Sequence, residues 1–450
     1  MGHLNADFDY DLLVLGAGSG GLAAAQRAVQ MGAKVAIAER DAVGGTCVNR
    51  GCIPKKLMVY AANFVHQQQT AAAYGWVNPK GLLDWPNLRQ LLQTRVEQLQ
   101  KAQAEKLKKA GIDLLRADAT FIDAHRVALG EQIVSAAKLI IAVGSQPILP
   151  DLPGIEQALT SRQMFSLEAL PRRLMIVGGG YIGAEFGHIC HALGSEVTLA
   201  DSSEAILPGF DFDLRQRLQQ HLQQQGIQIL TETPLKGIQS ERGGYRVQVS
   251  GREPLVADAV LCAVGRKPAL DGLDLDAAGV ETAAGAIAVG THYQTSQPHI
   301  CAVGDCIDRL PLTPVAKAEG RAAADWLFDQ LPHPVDYDWV PSAVFTYPQA
   351  AAIGLTESAA RQQRDDIRCS YARFQPLHYS PLESSFEALI KVVVDQTTER
   401  VVGVHIVAPR AAEMVQMLAP ALRQGLTQAE LSHPIGIHPT LGEELFNIST

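Results

Sequence analysis

The 450-residue sequence carries a net charge of −9 with 19% charged residues, which excludes the dense basic tracks that follow a nucleic-acid backbone, and its length calls for several hydrophobic cores with clefts between them. Seven cysteines are too few for a disulfide scaffold and none forms a C-x-x-C zinc pair, so any thiol chemistry is local. The acidic start MGHLNADFDYD lacks the parts of a signal peptide and the apolar runs are of strand length, so a cytoplasmic chain with neither a nucleic-acid nor a membrane partner is expected.

Residues 11 to 15 (DLLVL) predict a strand, followed by GAGSGG and an Ala-rich helix that Gly32 suits as a stop, and VAIAE resumes as a second strand. Gly16, Gly18 and Gly21 stand in G-x-G-x-x-G register, and Glu39, about 20 residues on, is placed to take a ribose hydroxyl. The unit recurs at residues 174 to 201, with Gly178, Gly180 and Gly183 before a helix and Asp201 closing the second strand. One such turn is a weak signal; two, each flanked by strands and ended by an acid, predict two dinucleotide sites, for which a flavin and a nicotinamide are the natural occupants. A polar helix is expected over residues 87 to 110. Later come short strands ending at glycine in LIIAVGSQPILP, VLCAVGRKP and ICAVGDC, and a Pro-rich linker near residue 335. Alternating strands and helices then make an α+β end.

Residues 44 to 56 read GGTCVNRGCIPKK, with Cys47 and Cys52 five apart before a helical run. This segment resembles the active-site motif of the pyridine nucleotide-disulfide oxidoreductases, and its Lys-Lys is similar to their glutathione and trypanothione reductase branch. The likeness extends through both glycine-rich units, the AVGD at residues 302 to 305 and the terminal HPTLGEE at 438 to 444. It implies an α/β fold of two Rossmann-like dinucleotide-binding domains plus a C-terminal α+β dimerisation domain. The expected divisions are residues 1–144 (first part of the FAD-binding domain), 145–262 (NAD(P)-binding), 263–335 (central, completing the FAD site) and 336–450 (interface, giving a homodimer).

The same resemblance assigns roles. Cys47 is the thiol that attacks a small-molecule disulfide, and Cys52 is the flavin-side thiol. A helix N-terminus with a nearby lysine and a protonatable histidine is expected to lower the thiol pKa from about 8.5, leaving Cys47 a usable nucleophile. His438 is the acid for the leaving thiolate, reaching the other subunit's site, and Glu443 orients its ring. Lys55 and Glu185 form an ion pair beside the flavin, and Tyr181 lids it; the bland alternatives are a surface lysine, a helix-face glutamate and a core tyrosine. Gly45, Thr46 and Asp305 bind FAD. Cys301 and Cys306 repeat the spacing of the redox pair, but an intervening strand at about 3.3 Å per residue should hold them too far apart to bridge.

Glutathione reductases commonly have Ala where this chain has Gly183, and two arginines after the second strand where it has Ser202 and Pro208. With Asp201 there as well, NADH is expected over NADPH, since a carboxylate accepts ribose hydroxyls and repels a 2′-phosphate; Arg172, Arg173 or Arg266 would have to reach that phosphate for the alternative. Arg321 and Ser19 match substrate residues, while Gln26 and Gln103 replace an arginine and a tyrosine, which fits glutathione disulfide or a less charged relative such as its amide. Dihydrolipoamide dehydrogenase is the alternative that Asp201 and Gly183 favour and Lys55 and Arg321 oppose. A flavin redox sensor is the non-enzyme alternative, opposed by the substrate acid His438. FNIST, with no cysteine pair, argues against mercuric reductase and large thioredoxin reductases.

Overall fold

The computed structural model describes residues 7–77, 81–331, 334–382 and 386–448. Residues 1 to 6 of the acidic start, Pro332 and His333 of the expected linker, and the last two residues of FNIST lie outside the described residues. The chain divides into two compact units, one formed by residues 1–55, 87–148 and 265–335, the other by residues 56–86, 149–264 and 336–450.

The first unit opens with β1 (Tyr10–Leu15), α1 (Ser19–Gln30) and β2 (Val35–Ala38). β2 is buried along its whole length and β1 over its last four residues, as continuous apolar runs in a parallel sheet must be. After α2 (Gly45–Arg50), α3 (Cys52–Ala73), most of which belongs to the second unit, and α4 (Trp85–Lys109) come β3 (Asp113–Leu115), β4 (Ala119–Phe121), β5 (Arg126–Leu129) and β6 (Gln132–Ile141). The parallel strands run β3-β2-β1-β6, and β6 turns its first half to an antiparallel β6-β5-β4 layer. β7 (Ser145–Pro147) is the last strand of this stretch of the first unit.

The second unit repeats the plan. β8 (Arg173–Val177), α5 (Tyr181–Ala192), β9 (Glu196–Ala200), α6 (Phe212–Gln224) and β10 (Gln228–Leu230) precede an antiparallel meander of β11 (Leu235–Glu241), β12 (Gly244–Val249) and β13 (Leu255–Ala257). β14 (Ala259–Cys262) then completes a parallel sheet of order β10-β9-β8-β14. The core between sheet and meander is built from Met175, Val177, Ile238, Val247 and Val260.

The chain returns to the first unit through β15 (Arg266–Pro268), which pairs with β7, a hairpin of β16 (Thr282–Ala283) and β17 (Ala286–Ile287), and β18 (Ile300–Ala302), which joins the first sheet beside β6. Helix α7 (Thr313–Asp329) packs on α1 through small residues: a Cβ on Gly320 would meet the Gly20 carbonyl oxygen at 2.2 Å. The C-terminal part lies in the second unit. β19 (Ser342–Val344), β20 (Gln349–Gly354), α8 (Glu357–Gln363), β21 (Ile367–Phe374), β22 (Ala388–Asp395) and β23 (Arg400–Ala408) give an antiparallel sheet of order β19-β20-β23-β22-β21, with α9 (Ala411–Arg423) over it. The expected mixed α/β architecture with an α+β end is therefore observed. No helix among the described residues is long and apolar enough to cross a membrane.

Candidate active site

The two glycine-rich turns are built alike. Gly21 approaches the first turn so closely that a Cβ there would meet the Gly16 carbonyl oxygen at 2.0 Å, and Gly183 meets Gly178 in the same way at 1.9 Å. Each turn delivers a helix N-terminus, α1 or α5, whose unpaired N–H groups suit a pyrophosphate. The acids do more than the ribose role expected of them. Glu39 accepts the Ala17 N–H at 2.7 Å and the Asp41 N–H at 2.8 Å. Asp201, 9% exposed, accepts from the Gly179 N–H and, at 2.7 Å, from the Ser203 N–H. Both carboxylates thus pin the phosphate turn from behind while keeping lone pairs for a ribose.

Gly45 is what brings the thiols to the first turn. Its φ is +60°, and a Cβ there would meet the Gly18 Cα at 2.7 Å, so a glycine is required on both counts. Thr46 is exposed beside it. Cys47 then lies on the one-and-a-half-turn helix α2, and Cys52 is the first residue of the 22-residue α3. The two thiols, free in this structure, hydrogen-bond to each other, and the Cys52 Sγ lies 3.7 Å from the Thr313 Oγ1 at the start of α7. That bond from Cys47, with help from Thr313 and the Lys55 charge and against the effect of burial, lowers Cys52 to about 6. Cys47 is pushed up, because its proton is held in the bond to Cys52 and because it is partly buried.

The N-terminus of α3 belongs to Cys52, so the helix field acts on the thiol to which the resemblance gives the flavin side. Burial pushes Cys190, Cys301 and Cys306 up to about 12, and raises Cys262 and Cys369 too, so Cys52 alone of the seven is activated. Cys301 and Cys306 point to different carbonyls, the first to His292, the second to Val303 and Ile141, and form no bridge.

The acid candidate is set up locally. The His438 Nδ1 lies 3.1 and 3.2 Å from the two Glu443 oxygens, leaving the ring's Nε2 edge outward on a side chain that is 84% exposed. Thr440 donates its N–H to Glu443 at 3.0 Å; this bond first, then the His438 ring, holds the carboxyl below its ordinary range. Glu185 is buried on α5 and accepts the Phe345 N–H at 2.8 Å, while Tyr181, the first residue of that helix, is 45% exposed. Asp305 accepts the Ser145 hydroxyl at 2.6 Å. Ser19 is half-buried at the start of α1, and Arg321 is exposed on α7.

Two of the three arginines that sequence reasoning offered for a 2′-phosphate, Arg173 and Arg266, are engaged elsewhere. Arg173 binds Asp258 at 2.6 Å and opens β8, so Arg172 and Arg173 stand at the far end of a five-residue strand from the Gly178 turn, about 16 Å away at strand rise. Arg266 gives its guanidinium to the Ser145 hydroxyl at 2.9 Å and carbonyl at 2.7 Å. A cation that the sequence reading missed, Arg215, reaches the loop after Asp201, but its donors hold the Ala205 and Ile206 carbonyls at 2.8 Å. Thr313 and Lys317 were also missed; their signal was the spacing of four from Arg321 in TPVAKAEGR.

Against known proteins, the family pattern described as pyridine nucleotide-disulphide oxidoreductase matches residues 10–320, and that family's dimerisation domain matches residues 340–447. The chain belongs to the pyridine nucleotide-disulphide oxidoreductases. Glutathione reductase from Nostoc sp. is 44% identical to it, with 97% of this chain and 98% of the relative covered. Glutathione reductase from Burkholderia cepacia is 38% identical, with 98% of each chain covered, and mercuric reductase from Staphylococcus aureus is 33% identical over 98% of this chain and 82% of the relative. The resemblance drawn from GGTCVNRGCIPKK thus holds along the whole chain. This oxidoreductase is a flavoprotein disulfide reductase, its family implying FAD and a nicotinamide nucleotide, and its dimerisation domain supports a homodimer. The two cradles, bare of side chains at the turn and backed by an acid, fit two dinucleotides.

Proposed function

We propose that this oxidoreductase reduces glutathione disulfide or a closely related low-molecular-weight disulfide, with NADH favoured over NADPH. The observation that carries the reading is the Cys47–Cys52 pair, with the charge-bearing thiol at a helix N-terminus and the segment anchored by Gly45 on the first dinucleotide turn. Bound FAD supplies a two-electron relay between nicotinamide and disulfide, so that one nicotinamide is oxidised and one disulfide becomes two thiols, with one proton consumed. Cys47 attacks the substrate sulfur once its proton is taken, and Cys52, as the thiolate, then attacks Cys47 to release the second thiol and re-form the Cys47–Cys52 disulfide. Because His438 is held by Glu443 on an exposed side chain, we assign the proton step at the thiols to the partner subunit's His438. Lys55, Glu185, Tyr181, Thr46 and Asp305 are proposed in the flavin-side roles given by the resemblance.

The NADH preference draws support from Asp201 behind the second turn and from Arg173, Arg215 and Arg266 being committed to protein partners. The names of the relatives in Nostoc sp. and Burkholderia cepacia support the glutathione assignment. Asp201 and Gly183 also favour a second reading, dihydrolipoamide dehydrogenase. A two-by-two assay of NADH and NADPH against glutathione disulfide and its amide, with dihydrolipoamide as a further substrate, tests all three. Turnover of dihydrolipoamide without turnover of either glutathione disulfide would replace the first reading by the second.

A further inference from the structure

Helix α7 has two faces of opposite character. On the inner face Val315, Ala316, Glu319 and Gly320 are buried, with Glu319 accepting the Gly304 N–H at 2.7 Å. The outer face carries Thr313, Lys317 and Arg321 at successive spacings of four, which stacks them about 6 Å apart along the axis. Thr313 touches the Cys52 thiol. Lys317 and Arg321 are both exposed, and neither makes a hydrogen bond or ion pair among the described residues. Helical side chains lean toward the N-terminus, so Lys317 leans back toward Thr313 and the sulfur pair, and its charge favours the Cys47 thiolate. An uncommitted ammonium thus stands between the thiols and Arg321, the residue assigned by resemblance to a substrate carboxylate.

We propose that Lys317 is a specificity residue of the disulfide cleft, taking a carboxylate of an acidic tripeptide disulfide alongside Arg321, so that the charged disulfide is preferred over its amide. The inference rests on the glutathione-type reading above and decides the point which that reading leaves open. It also answers the replacement of an arginine by Gln26 on α1: the positive charge missing from one helix is supplied by another. Lysine suits the task, since its flexible stem lets one ammonium follow a carboxylate without bidentate geometry.

The test measures kcat and KM of FAD-loaded wild type, Lys317→Gln, Lys317→Glu and Lys317→Arg with glutathione disulfide and with glutathione amide disulfide. Reduction of an artificial electron acceptor by the flavin serves as the control for an intact cofactor site. KM for the charged disulfide should rise about tenfold in Lys317→Gln, as for loss of one charge-assisted contact. The rise should be larger in Lys317→Glu and should exceed any fall in kcat; Lys317→Arg should restore affinity, and KM for the amide should respond little. Equal losses with both disulfides, together with a shifted pH profile, would assign Lys317 to the Cys47 thiolate and overturn the proposal, as would unchanged constants for both. A wild-type enzyme that reduces the artificial acceptor but neither disulfide overturns the proposed function itself, and the role of Lys317 with it.

Discussion

Replacing His188 by Leu should make this protein more resistant to acid. His188 is 1% exposed on α5, and neither ring nitrogen has a hydrogen-bond partner among the described residues. It stacks on His66 at 5.3 Å between centroids, and His66 stacks in turn on Tyr347 at 4.3 Å. Burial, with the neighbouring imidazoles His66 and His191 adding repulsion, depresses His188 to about 3, and burial depresses His66 to about 4. As pH falls below about 6.5 the unfolded chain takes up these two protons and the folded one does not, so stability is full above that pH and drains away down to about 4 for His66 and 3 for His188. At pH 5 each ring costs about 2 kcal/mol relative to pH 8, from 1.36 kcal/mol per unit over the roughly 1.5 units between 6.5 and 5. Leucine cannot titrate, so the variant keeps the roughly 2 kcal/mol that His188 would lose. For a folding unit of this size that corresponds to about 4 °C in Tm. Thermal melts of wild type and His188→Leu at pH 8 and pH 5 read the difference of differences. An offset between the two proteins that is the same at both pH values would refute the reasoning, and would mean that His188 is hydrated or partnered in solution.

Four further outcomes are expected. Cys52→Ser should abolish a long-wavelength thiolate-to-flavin absorption in the two-electron-reduced enzyme, whereas Cys47→Ser should keep that band and lose turnover; a band that survives in Cys52→Ser reverses the assignment of the thiols. His438→Ala should slow disulfide reduction by roughly 10²-fold or more, as for loss of a positioned general acid, and leave flavin reduction by nicotinamide nearly normal in stopped flow. The long-wavelength band should itself titrate in the acid range, present above about 6 and lost below it as Cys52 takes a proton. Asp201→Asn with Ser202→Arg should move kcat/KM toward NADPH, each change contributing about 1–3 kcal/mol; asparagine keeps one acceptor oxygen for either the Gly179 or the Ser203 N–H, where alanine would leave both without one. A wild type that already favours NADPH tenfold would sink the nucleotide assignment.

Periodicity and glycine spacing made both βαβ units legible, because continuous apolar runs such as DLLVL and LMIVG mark buried parallel strands and a G-x-G-x-x-G turn has few other uses. The short strands of the antiparallel layers were less so, being three to seven residues long with ordinary composition. At the site, the identity of the chemistry was in the sequence but its electrostatics was not. Spacing alone could not say that Cys52 begins the long helix α3 while Cys47 sits inside the short helix α2. The arginines show the same limit: Arg172, Arg173 and Arg266 are near the second unit in sequence, while strand direction and the partners Asp258 and Ser145 decide that they face other work. Lys317 was passed over because an exposed lysine on a helix is ordinary until its neighbours in space are known.

The abutment of Gly45 on Gly18 ties together two parts that evolution could otherwise have varied apart. Gly45 cannot gain a side chain without prising the thiol segment from the first glycine-rich turn, so lineages descended from this chain are freer to change what they reduce from the other side, along the outward residues of α7. Substrate choice is in this sense the replaceable fitting, and the contact between two bare backbones is the fixed frame on which it is mounted.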